Sequence, residues 1–107
     1  MIRDERLKIK AKMFRGFADS TRLAILECLR DGEKTVSEIV EEIKQTQSNV
    51  SNHLSCLLGC GLIKNKREGK NIFYRITNNK IKALLEGSDS ILDEIYSQIY
   101  ECVRYEE

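Results

Sequence analysis

Apolar and polar positions alternate along this chain in two different periods, and the change of period marks its elements. Ile2, Leu7, Ile9, Met13, Phe14 and Phe17 recur at roughly helical spacing among lysines and arginines, which predicts a first amphipathic helix ending between Gly16 and Asp19. Asp19 or Ser20 then caps a second helix over 21–30, with Leu23, Ile25, Leu26 and Leu29 inward and Asp31-Gly32 as its stop. Thr35-Val-Ser-Glu38 has the spacing of a capping box and opens a short helix that buries Val36, Ile39, Val40 and Ile43. After a tight turn at Lys44-Gln-Thr46, Thr46 or Ser48 caps a fourth helix carrying Val50, Leu54, Leu57 and Leu58 on one side, up to Gly59 or Gly61. Two helices joined by so short a turn form a helix-turn-helix.

The period then falls to two. Residues 62–67 and 71–76 alternate, and Glu68-Gly-Lys70 supplies the turn of a β-hairpin with a basic tip. Asn78 or Asn79 caps a last helical stretch with Ile81, Leu84, Leu85, Ile91, Leu92, Ile95, Ile99 and Val103 as its apolar residues; a break would fall at Gly87-Ser88. The expected fold is therefore mainly α with a β-hairpin (α+β): one winged helix-turn-helix domain spanning 1–107. With so small a core, the two outer amphipathic helices are expected to bury their faces against a second copy, giving a homodimer through the terminal helices.

Composition narrows the class. With 41% hydrophobic and 33% charged residues among 107, the chain is too apolar for disorder and too charged for a membrane protein, and its charged start has no signal-peptide apolar region. The expected location is the cytoplasm, with no membrane partner. A net charge of +1 hides a division, since residues 44–75 carry six basic groups against one acid while 76–107 are acidic. A basic segment that coincides with the helix-turn-helix points to a polyanion met by one face, which we read as double-stranded DNA.

The fourth helix opens Gln47-Ser-Asn-Val-Ser-Asn-His53. Short polar side chains at a helix start can reach base edges and phosphates in the major groove. Gln47, Ser48, Asn49, Ser51 and Asn52 are the candidates, with Gln47, Ser48, Ser51 and Asn52 on about one face. His53, the one histidine, is read as a partner of backbone or DNA phosphate rather than as a metal ligand. In the hairpin, Lys64, Lys66, Arg67 and Lys70 are the expected phosphate or minor-groove contacts, adding salt-dependent affinity. No nucleophile triad, phosphate-cradling Gly loop or redox Cys-x-x-Cys is present, so an enzyme is not expected.

Four cysteines in a reducing compartment are not a disulfide frame. Cys56 and Cys60 stand four apart, on one helix face about a turn from each other; spacing alone leaves two packed thiols and a shared ion equally open. Cys28 alternates with apolar residues and is expected in the core, whereas Cys102, near the chain end, has room for a ligand or reactive role. With one His available, ligation would rest on thiolates, which select soft ions such as cadmium, lead or copper(I), with zinc admissible.

Ala18-Asp-Ser-Thr-Arg-Leu-Ala-Ile-Leu26, then Gln47 to Ile63, then Gly69-Lys70 with Tyr74, together resemble the ArsR/SmtB metal-sensing repressors over about residues 5–86. Ser48 to Ile63, with both thiols on the reading helix, is similar to the CmtR-like cadmium/lead-sensing branch. The resemblance implies a homodimeric repressor that leaves its operator when Cd(II) or Pb(II), with Zn(II) also admissible, binds three thiolates: Cys56, Cys60 and a third from the C-terminal region of the other protomer, matched here by Cys102. Two other family sites are missing: Thr35-Val-Ser37 replaces a Cys-x-Cys, and 76–107 contains no His; Ser20 stands where the family has Pro. The competing reading within the same class is a winged-helix repressor switched by thiol oxidation.

Overall fold

The computed structural model describes residues 3–106, with side chains to residue 102; Ile2 and the side chain of Val103 lie outside the described residues. The chain divides into two units, one ending at Thr77 and the other beginning at Asn78, each described by itself.

In the first unit, α1 (Arg3–Ala18) carries Asp4 and Glu5 in its first turn and Arg15 in its last, the arrangement the helix dipole favours. It runs through Gly16, which is buried and lies so close to Leu62 that a Cβ there would meet Leu62 Cδ1 at 2.8 Å. Asp19 breaks the helix and starts the next. Its Oδ1 accepts from the Thr21 and Arg22 amides at 2.9 and 3.0 Å, capping α2 (Ser20–Cys28) in preference to Ser20. Arg22 reaches back to donate to the carbonyls of Arg15 (2.8 Å) and Gly16 (3.3 Å), so a side chain from the first turn of α2 serves carbonyls at the end of α1.

A 3-10 turn at Leu29–Asp31 finishes α2, and a strand the alternation did not predict follows: β1 (Lys34–Thr35). Two residues are too few for a period to register; only pairing with the hairpin makes them a strand. Thr35 then opens α3 (Val36–Ile43) through the capping box, accepting from the Glu38 amide at 3.3 Å while its own amide donates to Glu38 Oε1 at 2.8 Å. Lys44 ends α3 in the left-handed region, and Thr46, not Ser48, caps α4 (Gln47–Gly59) by accepting from the Asn49 amide at 3.2 Å.

β2 (Ile63–Glu68) and β3 (Asn71–Ile76) pair antiparallel around the two-residue loop Gly69-Lys70, where Gly69 takes φ 62°, and the sheet order is β1-β3-β2. Ile25, Leu26, Leu29, Ile39, Val50, Leu54, Leu57, Leu62, Ile63 and Ile76 form the core, each fully buried aliphatic side chain contributing about 1.5–3 kcal/mol. Leu23, expected inward, keeps 37% of its surface.

The second unit is α5 (Asn79–Glu106), with Asn78 Oδ1 accepting from the Ile81 amide at 3.1 Å. It passes Gly87-Ser88 unbroken, and within it Ser88 Oγ donates back to the Leu85 carbonyl at 2.6 Å. Among the described residues no helix is long and apolar enough to cross a membrane.

Candidate nucleic-acid interface and thiol pair

Helix α4 is held by Val50, Leu54 and Leu57, spaced i, i+4, i+7 and buried. That choice of face decides what the remaining side chains can do. Gln47, Ser48 and Asn52 are exposed and Ser51 is half-buried on the adjoining flank, so these four form the solvent-facing side at the start of α4. Asn49 and His53 fall on the other flank and are engaged by protein. The Asn49 carboxamide donates to Gln45 Oε1 at 3.0 Å, and His53 Nε2 lies 3.9 Å from the carboxylate of Asp19, the cap of α2. Bonds from the Arg22 amide hold the Asp19 carboxyl below its ordinary pKa, assisted by the nearby His53.

The hairpin cations separate in the same way. Lys66 is bound by Glu68 at 3.0 Å and Glu33 at 3.3 Å, which push its amine pKa upward, whereas Lys64, Arg67 and Lys70 are exposed and make no ion pair among the described residues. The register sets Lys64 directly opposite Arg75. Arg75 was absent from the sequence-derived candidates, and the signal was available: counting back equally from a two-residue loop pairs 64 with 75. Like charges so opposed repel, and both side chains are exposed, where solvent and salt screen the repulsion.

The thiols fall into three environments. Cys28 is buried; burial first, then the Glu42 carboxylate, raise its pKa to about 11, with Lys34, 3.6 Å from Sγ, acting the other way. Cys56 is exposed and Cys60 half-buried, and the Cys60 amide donates to the Cys56 carbonyl at 3.0 Å, so the two close the last turn of α4. Cys102 is exposed on α5, three residues beyond Ile99 and seven beyond Ile95, on the apolar side of that helix. Among the described residues no three His, Cys, Asp or Glu side chains gather where they could hold one ion. Cys56 and Cys60 thus share the last turn of α4 in the first unit, and Cys102 belongs to the second unit.

The profile of the bacterial regulatory protein arsR family matches residues 19–65, from the cap of α2 into β2. Among curated relatives, an HTH-type transcriptional regulator of Methanocaldococcus jannaschii is 34% identical over 81% of this chain and 99% of its own length. The chain belongs to the ArsR family. A probable mercury resistance operon repressor of Streptomyces lividans is 40% identical over 70% of this chain and 60% of its own length, and the regulator CmtR of Mycobacterium bovis is 40% identical over 70% and 64%. The chain thus spans less than two thirds of these two relatives. A homodimeric winged helix-turn-helix DNA-binding domain of Mycobacterium bovis superposes with a TM-score of 0.81 at 27% identity, covering 89% of this chain and 88% of that one.

As an ArsR-family protein this is a DNA-binding transcription regulator with a winged helix-turn-helix fold, not an enzyme. The family match contains all of α4, hence its polar N-terminal run and both Cys56 and Cys60; it contains neither Arg75 nor Cys102.

Proposed function

We propose that this ArsR-family regulator is a repressor that binds operator DNA as a homodimer and leaves it when a soft metal ion, cadmium(II) or lead(II), is held by Cys56, Cys60 and the Cys102 of the second copy. The observation that carries the reading is the pair of thiols closing the last turn of α4, one exposed and one half-buried, on the helix whose other end reads DNA. Two thiol donors a turn apart suit a thiophilic ion, zinc included. An imidazole-rich site does not fit, since the one histidine faces Asp19. The mercury-resistance relative supports a metal signal in general. Homodimerisation is supported by the apolar side chains that α1 and α5 leave exposed, among them Leu7, Ile9, Phe14, Ile91, Ile95 and Ile99.

Bound metal supplies a strong cross-link between thiolates. Everything else falls to the chain. A reading helix tied at its C-terminal end to the other copy's α5 cannot keep its N-terminal face in register with successive major grooves, about 34 Å apart. DNA affinity then falls, and DNA lowers metal affinity by the same factor, of order 5- to 150-fold for a coupling of about 1–3 kcal/mol.

The test is an anaerobic cadmium titration of reduced protein, following thiolate-to-metal ultraviolet absorption together with anisotropy of a labelled duplex from the DNA flanking its gene. Wild type and Cys28→Ser should saturate at one ion per protomer and release DNA, while Cys56→Ser, Cys60→Ser and Cys102→Ser should not. Release by cadmium in Cys102→Ser removes the third ligand. Release by diamide alone, reversed by reductant, replaces the metal reading with thiol oxidation.

A further inference from the structure

Between α3 and α4 the chain has only Lys44, Gln45 and Thr46 in which to turn, and it does so by putting Lys44 at φ 56°, ψ 48°. Lys44 is the single non-glycine residue at positive φ among the described residues, and its amide is fixed there by a bond to the Val40 carbonyl at 2.9 Å. This is the helix-ending position at which Gly or Asn is at ease and a residue with a long side chain is strained. The Lys44 side chain does not offset that strain by contacts. It is exposed and forms no ion pair among the described residues. The carbonyl end of the short α3 favours a cation nearby, but an exposed helix terminus returns less than the left-handed backbone costs. A strained residue that gains nothing internal points to use by something external.

What lies beside it is the start of α4, where Gln47 and Ser48 are exposed and the first-turn amides favour phosphate. We propose that Lys44 grips a backbone phosphate of the DNA duplex at the turn of the helix-turn-helix, fixing the depth and register at which α4 enters the groove. Its contact carries no base information, so it acts on every sequence alike. The proposal rests on the family reading only in that α4 meets duplex DNA, and is independent of any metal.

The experiment uses the full chain, reduced and metal-free, with Lys44→Asn, Lys44→Gly and Lys44→Arg. Binding to a labelled duplex of arbitrary sequence, about three helical turns long, is followed over a salt series, beside thermal melting. Lys44→Asn should melt no lower than wild type, yet bind more weakly, its log affinity against log salt flattened by about 0.9 per protomer for the lost phosphate. Lys44→Arg should keep the slope. A purely structural lysine would move melting and affinity together. If Lys44→Asn binds with wild-type affinity and slope, the proposal fails. If wild type itself shows no salt-dependent duplex binding, the family-level premise fails instead, and the two failures are read from different arms.

Discussion

Cys28 and Cys56 both lie on helices of the helix-turn-helix, and their surroundings are opposite. Cys28 is at the end of α2, 7% exposed, above Lys34, whose amine donates to the Cys28 carbonyl at 2.7 Å and to Glu42 at 2.9 Å. That amine ties α2, β1 and α3 at one corner. Cys56 is a turn from the end of α4 with its side chain in solvent. A cysteine's chemistry is therefore set here by which face of its helix the core takes. Where the thiol points inward it is held protonated and acts as a small apolar group; where it points outward it is available to a ligand.

The largest effect that would sharpen this contrast is in reactivity. A pKa raised from 9.0 to about 11 leaves the Cys28 thiolate about 100-fold scarcer in the folded protein than in the unfolded chain at neutral pH. Maleimide labelling followed by mass spectrometry should mark Cys56 first and Cys28 last, with Cys28 accelerating toward pH 11 or on unfolding. Equal labelling of the two would break the comparison.

Stability should divide the same way at smaller magnitude. Cys28→Ser exchanges a buried thiol for a hydroxyl and is expected to cost about 1–2 kcal/mol, whereas Cys56→Ser should stay within about 0.5 kcal/mol, as urea midpoints would show. The smallest effect concerns acid. The Cys28 thiol and the Lys34 amine both lower the Glu42 pKa, and the bound Arg22 amide lowers that of Asp19. Each contribution is present above the ordinary carboxylate range and is lost as pH falls through the lowered folded-state value. Melting temperature should therefore decline on the acid side of about pH 4, and the Glu42→Gln protein should decline less steeply.

Much of this was legible in the chain. The helical period found α1 to α5, the capping box named Thr35 and Glu38, and the alternation around Gly69-Lys70 gave the hairpin. Those signals are local, written within one or two turns of chain. The misses were of another kind. Residues 34–35 became a strand only by pairing with 73–74, and Gly87 broke nothing because a single glycine costs a long helix too little to end it.

The candidate site shows the same boundary. Residue type and spacing determined that α4 carries a polar run at its start and two thiols four apart. Only the tertiary structure decided that His53 turns to Asp19 and that Lys66 is occupied by Glu33. These are contacts between elements far apart in sequence, and no periodicity within one element records what the neighbouring element brings against it.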